Sequence, residues 1–310
     1  MVDSRGFTLV EILVTMVLLS AIIGVAFYGY NKMASSVRTE SGSIESRMDK
    51  IVGLELLRLD IENAGLGVGT DESNLPVEYN ATSQALTLRA TMNNTNQSTY
   101  GWVFVNCKSG QNWNTSSVLM VDEREVTSND NLVFIDYRRR YAFSVNSTST
   151  SCPRNAHYVG YPINPSSTGC SNQICTQITY QLSTTQSLST CAPGTKNLLR
   201  KVDGGAGNPI LNCVADIDWK FGLDTDGDGG VDTVADGSGI PTTSSGVRSQ
   251  MKYIIFYALV QNSTYDSSYN FGSSNVTVDN GVALSLPTGC TTCSNYHWKV
   301  IKKLVKLMNL

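Results

Sequence analysis

The residues best suited to chemistry form a short acidic, glycine-rich segment at 222–232 that reads GLDTDGDGGVD. Its first three aspartates stand at alternate positions, which is the spacing of the first ligands in a calcium-binding loop. Gly229 falls where such loops turn sharply, and carboxylate and carbonyl oxygens are the ligands that Ca²⁺ prefers. The segment therefore predicts a calcium site with these ligands: Asp224, Asp226, Asp228, the carbonyl of Gly230, and Asp232.

The same segment also fits an acidic hairpin turn without a metal. The last position of a calcium loop is normally a bidentate Glu, but Ala235 stands there, and Asp236 follows it. No helix pattern precedes the segment, so it is not an EF-hand. Asp-Gly is a preferred pair in hairpin turns, and crowded carboxylates repel each other unless water or a cation neutralises them. Both interpretations stay open at this point.

A second chemical feature is Glu11, a carboxylate inside an otherwise apolar stretch. Residues 7–28 read FTLVEILVTMVLLSAIIGVAFY and contain no Lys or Arg. A helix of this length spans about 33 Å, which is enough to cross the hydrocarbon core of a bilayer. A carboxylate at that depth costs on the order of 3 kcal/mol, so it needs a partner. Cleavage after Gly6 would expose an α-amine one helical turn before Glu11, and the amine of a neighbouring copy would serve equally well.

The position of Gly6 argues against an ordinary secretory signal, whose small residue follows the apolar run instead of preceding it. A plain membrane anchor with an isolated Glu is the simpler alternative. The string GFTLVEIL, from Gly6 onward, closely resembles the class III signal of type IV pilins and type II secretion pseudopilins. The resemblance implies that residues 1–6 are a leader, that a prepilin peptidase cleaves after Gly6 and methylates Phe7, and that Glu11 pairs with an N-terminal amine during assembly.

From residue 31 the pattern changes to an amphipathic helix, expected to run to 65 as the second half of the 7–30 helix. Apolar residues recur there at gaps of three and four: Ile44, Met48, Ile51, Leu54, Leu57, Ile61 and Ala64. The string LDIENAG at 59–65 resembles the helix end of PilW-family minor pilins, although Glu62 replaces the usual basic residue. The J pseudopilin of type II secretion has a related helix end, so this subtype also stays open.

Residues 66–310 predict a β-rich head, which makes the chain α+β. Short β-like runs, such as 85–90, 177–182 and 251–260, are separated by polar, glycine-bearing turns. Several runs alternate between polar and apolar residues, most clearly 82–89 and 178–182. The last segment, HWKVIKKLVKLMNL, has the periodicity of a basic amphipathic helix. The PilW resemblance instead implies a final strand of aromatic, basic and aliphatic residues that closes on an Asn, and we favour the strand.

The cysteines all follow the long helix, and an even number in an exported head implies up to four disulfides. Their connectivity cannot be deduced, but Cys170–Cys175 and Cys290–Cys293 are close enough in sequence to pair locally. A zinc site at the second pair, with His297, is less favoured. The candidates are Cys107, Cys152, Cys170, Cys175, Cys191, Cys213, Cys290 and Cys293.

The composition narrows the function classes. The net charge of −3 leaves no basic excess for sequence-independent binding of nucleic acid, so we expect no nucleic-acid partner. A hydrophobic content of 41% is too high for a disordered chain. His157 and His297 are the only histidines, and no nucleophile elbow, metalloprotease helix or phosphate loop is present, so we expect neither catalysis nor an organic cofactor.

The resemblance implies a PilW-like minor pilin that primes filament assembly or sits at the tip. It would be anchored in the inner membrane with a periplasmic head and later enter the extracellular pilus. Its partners would be the prepilin peptidase, other minor pilins and the major pilin. Three rivals remain. The first is the J pseudopilin, and the second is a tip adhesin or DNA-uptake module, for which the cue is Arg138–Arg140 between Tyr137 and Tyr141. The third is a membrane-anchored enzyme.

Overall fold

The computed structural model describes residues 9–113, 117–121, 126–127, 129–145, 151–186 and 188–310. The chain divides into two compact units, Met1–Met48 and Asp49–Leu310. The described part of the first unit is helical. The second unit holds the end of the long helix and the whole head.

Helix α1 runs from Leu9 to Glu62. Its Leu9–Tyr30 segment is long and apolar enough to cross a membrane. The helix ends where the chain turns through Gly65 and Gly67, which adopt positive φ values of 86° and 65°. Glycine tolerates this left-handed conformation because it has no Cβ. A short second helix, α2 (Ser244–Gln250), is capped by the Thr243 side chain.

Fifteen strands are described, numbered in chain order. They are β1 (Val77–Asn80), β2 (Ala85–Ala90), β3 (Val103–Cys107), β4 (Ser117–Val121), β5 (Leu132–Asp136), β6 (Tyr141–Val145), β7 (Ala156–Pro162), β8 (Thr176–Leu182), β9 (Lys196–Val202), β10 (Asn208–Leu223), β11 (Thr233–Ala235), β12 (Met251–Gln261), β13 (Asn275–Thr277), β14 (Ala283–Ser285) and β15 (Trp298–Lys306).

The larger sheet has the antiparallel order β1-β2-β8-β9-β10-β12-β15, with β11 paired to β10. One face of this sheet and the end of α1 share the main core. Leu57 and Ile61 of the helix are fully buried in that core with Trp219 and Phe256 of the sheet. Burying a large apolar side chain contributes roughly 1.5–3 kcal/mol, so this contact fixes the helix end on the head.

The smaller sheet has the order β4-β3-β7-β5-β6 and its own core, which includes Trp113, Phe134 and Tyr158. Its strands all lie in the chain between β2 and β8 of the larger sheet. The β13–β14 hairpin covers part of the opposite face of the larger sheet, over Tyr257 and Leu259.

The predicted α+β class is confirmed: an apolar N-terminal helix precedes a strand-rich head that carries four disulfides. The final segment is a strand, as the PilW resemblance implied. The helix indicated by its periodicity is not formed. Lys302 lies beside Asp279 on one face of β15, whereas Lys303 acts on Glu55 of α1 on the other. The lysines therefore lie on both faces of an edge strand.

Candidate functional site

Of the predicted processing and assembly residues, Glu11 lies on α1. Gly6 and Phe7 lie outside the described residues. Glu11 lies in the first described turn, and the apolar side chains around it are exposed, with Leu9 at 79% and Leu13 at 58%. This surface needs lipid or other subunits to cover it, because exposed apolar area on this scale is unfavourable in water.

The end of α1 is held to the head by a buried ion pair. Arg200 Nε on β9 donates to Asp60 Oδ2 at 2.6 Å, and the two side chains are 3% and 0% exposed. The Tyr180 hydroxyl on β8 donates to the same oxygen at 2.5 Å, and Asn94 Nδ2 donates to Asp60 Oδ1 at 2.7 Å. Burial and the nearby carboxylate raise the pKa of Tyr180 well above its usual range. Asp60 is the first acidic residue of the LDIENAG string, and its pairing with Arg200 gives an acid at that position a structural role.

The last residues of the chain also contact the helix end. Asn309 Nδ2 donates to the carbonyl of Glu62 at 2.8 Å, and so satisfies one of the carbonyls that a helix C-terminus leaves without a partner. A Cβ at Gly65 would come within 2.7 Å of Leu310. Glu62 itself pairs with Arg58 at 2.5 Å. The two segments that carry the PilW resemblance, 59–65 and the C-terminal strand with its Asn, therefore meet in space.

The acidic segment forms the loop between β10 and β11. One carboxylate oxygen each from Asp224, Asp226 and Asp232 lies within 4.8 Å of the others. Asp224 accepts the backbone N–H groups of Gly227 at 2.7 Å and Gly229 at 3.0 Å. Gly229 has the positive φ, 91°, that the sharp turn of a calcium loop needs.

Not every acid of the loop joins this group, and a lysine lies beside it. Asp228 lies outside this group of three, and its Oδ1 accepts the N–H of Gly230. Lys252, at the start of β12, places its Nζ 3.1 Å from Asp224 Oδ2. This ammonium and the two glycine N–H groups lower the pKa of Asp224, and the N–H and hydroxyl of Thr225 lower the pKa of Asp232. The loop is thus partly neutralised by the protein itself.

The cysteines form four disulfides, of which two are the predicted local pairs. They are Cys107–Cys152, Cys170–Cys175, Cys191–Cys213 and Cys290–Cys293. Because Cys290 and Cys293 are bonded to each other, the less favoured zinc interpretation has no thiolate ligands.

The histidines and the arginine run make separate local contacts. His157 stacks on Phe104, and His297 stacks on Tyr269 with ring centroids 3.7 Å apart. In the arginine run, Arg140 pairs with Asp136, Arg139 donates to the Asn309 carbonyl, and Arg138 lies over the Tyr137 ring. The three arginines therefore serve three different partners.

Sequence reasoning missed three side chains that organise these sites: Arg200, Tyr180 and Lys252. Each acts on an acid far away in the chain, as when Arg200 meets Asp60 across 140 residues. A strand pattern identifies the face of a residue but not its partner across the sheet, so no local signal was available.

A family model for the prokaryotic N-terminal methylation motif matches residues 1–27. No curated protein and no solved structure matches the chain. The motif indicates a type IV pilin-like or pseudopilin protein and supports the class III signal peptide. The apolar helix with this motif is consistent with membrane anchoring.

Proposed function

We propose that the protein is a PilW-like minor pilin, cleaved after Gly6, methylated on Phe7 and co-assembled with other minor pilins and the major pilin. The observation that carries the proposal is that the methylation motif leads directly into a helix whose end is fixed to a large disulfide-bonded head. Asn309 against the Glu62 carbonyl supports the PilW subtype, because it joins the two segments that resemble that family.

In this proposal the protein does no chemistry of its own. Before assembly the protein is anchored in the inner membrane with its head in the periplasm. In the extracellular pilus its apolar helix packs among the apolar helices of neighbouring subunits. Glu11 accepts a charge-assisted hydrogen bond from an N-terminal amine during that transfer, which offsets the cost of placing a carboxylate among apolar side chains. The same steps would serve a type II secretion J pseudopilin, which differs in the proteins with which it assembles.

The proposal is tested by deleting the gene and restoring it as wild type, Glu11→Ala, or the matched control Glu55→Ala. Glu55 lies on the same helix in an exposed pair with Arg58, and such pairs contribute little to stability. We expect deletion to reduce surface pili, and wild type and Glu55→Ala to restore them, but not Glu11→Ala. A deletion strain with normal piliation but without protein secretion would favour the pseudopilin. A deletion strain with normal piliation and normal secretion would contradict both assignments.

We further propose that the loop at 224–232 binds Ca²⁺. The convergence of Asp224, Asp226 and Asp232 and the turn at Gly229 support this proposal. Asp228 and the Gly230 carbonyl occupy the remaining ligand positions of the sequence pattern. Bound calcium would fix the β10–β11 connection on the head.

Calcium binding is measured as a shift in the Tm of the chelator-treated protein in lipid nanodiscs. Calcium at ten times its Kd would stabilise the fold by about 1.4 kcal/mol, and a domain of this size gains about 2–4 °C per kcal/mol. We expect this shift in wild type and in the control Asp266→Asn, and none in Asp226→Asn/Asp232→Asn. An unchanged Tm of the wild type at millimolar calcium would refute the site.

A further inference from the structure

A groove lies on the head between the β13–β14 hairpin and the loop closed by the Cys290–Cys293 disulfide. Its volume is about 580 Å³, which is within the range of small-molecule sites. No residue that lines this groove carries a charge. This distinguishes it from the acidic loop and from the ion pairs at the helix end.

The groove walls carry polar side chains without hydrogen-bond partners among the described residues. Within the described part of the chain, the side chains of several lining residues form no hydrogen bond or ion pair. They are Ser274, Asn275, Ser285, Thr288, Thr291 and Ser294. Ser285 and Ser294 are half-buried and the other four are exposed, so all are open to a ligand.

Backbone contacts hold the two walls in place. The N–H of Leu286 donates to the Ser274 carbonyl at 2.8 Å, and the N–H of Phe271 donates to the Ser294 carbonyl at 2.7 Å. Cys293, which lines the groove, is buried in an apolar cluster with Leu284 and Trp298. A ligand would therefore meet preformed walls, which lowers the entropic cost of binding.

We propose that this groove binds a neutral oligosaccharide. A hydroxyl both donates and accepts hydrogen bonds, so a row of Ser, Thr and Asn side chains complements the hydroxyls of a sugar. The uncharged lining offers no cation for a phosphate or carboxylate and no carboxylate for a metal ion. The leucine and proline side chains that also line the groove suit the C–H surface of a sugar ring. This site does not depend on the assembly function, because binding is a property of the single chain.

The test uses the full chain in phosphatidylcholine nanodiscs, since sugar-based detergents would compete. The probes are the neutral trisaccharides maltotriose, cellotriose and N,N′,N″-triacetylchitotriose. Binding of each is detected by saturation-transfer NMR and quantified by titration. We expect at least one to bind, and Thr288→Val and Thr291→Val each to weaken binding by roughly fivefold. The matched control is Thr242→Val, an exposed threonine outside the groove, and all variants should keep the wild-type Tm.

Three results would overturn the proposal. The first is the absence of saturation transfer to all three probes at millimolar concentration. The second is unchanged binding in the double variant Thr288→Val/Thr291→Val. The third is tighter binding of a sulfated trisaccharide than of its neutral counterpart, because that would require a cationic site. None of these results depends on piliation, so they are separate from the test of the pilin assignment.

Discussion

At the scale of single residues, Asp60 forms the buried ion pair that joins the end of α1 to the head. Replacing it with Ala leaves Arg200 buried at 3% exposure without its counter-charge. Breaking a buried pair from one side costs about 3–5 kcal/mol, whereas replacing both partners with apolar residues is often close to neutral. We therefore expect a loss of this size in the free energy of unfolding for Asp60→Ala, and recovery of much of it in Asp60→Leu/Arg200→Met.

The measurement is denaturant unfolding of the chain in nanodiscs, followed by the fluorescence of its tryptophans, which include the buried Trp219. Glu55→Ala is the control, because its surface pair with Arg58 should contribute less than about 1 kcal/mol. A loss of less than 1 kcal/mol for Asp60→Ala would show that the pair does not fix the helix end.

Glu72 predicts a pH dependence at the same scale. Burial raises its pKa, but the N–H groups of Asn74, Asn172 and Ser171 more than compensate, so its pKa lies below the usual value of 4.5. Its stabilisation is therefore complete above about pH 4.5 and is lost as the pH falls through the lowered pKa. We expect Glu72→Gln to cost about 2 kcal/mol at neutral pH and much less in acid, once the pH lies below the lowered pKa of Glu72. An equal cost at both pH values would contradict this.

At the scale of elements, a lysine of β12 partly neutralises the acidic loop between β10 and β11. Lys252 places its ammonium 3.1 Å from Asp224, where it opposes the binding of a second cation. If the loop binds Ca²⁺, Lys252→Met should raise its calcium affinity severalfold by isothermal titration calorimetry. The control is Lys299→Met, an exposed lysine on β15. Equal affinities would mean that calcium does not bind at Asp224.

The sequence patterns predicted individual elements better than their arrangement. The alternating run at 85–90 is β2, and the apolar run at 251–260 is all but the last residue of β12. The separate core of the smaller sheet was not predicted, because that sheet is inserted between two strands that pair with each other. The acidic loop was located from spacing alone, but the neutralising role of Lys252 depends on the pairing of β10 with β12.

At the scale of the whole molecule, the low charge content has two sources. Only 16% of the residues are charged. The apolar helix segment carries a single acid, Glu11, and the head uses Ser, Thr, Asn and Gly for its polar surface. Several of the acids have defined places: Glu11 lies in the apolar helix, Asp60 pairs with Arg200 at the end of α1, and a group of aspartates lies in the loop at 224–232.

The pilin-like assignment predicts one covalent change that no plain membrane anchor would undergo. The most direct measurement is mass spectrometry of the N-terminus in membrane and sheared-filament fractions, from cells with and without an active prepilin peptidase. We expect a chain that begins at N-methylated Phe7 in the filament fraction, and the uncleaved chain when the peptidase is absent. An intact Met1 terminus in cells with an active peptidase would contradict the account.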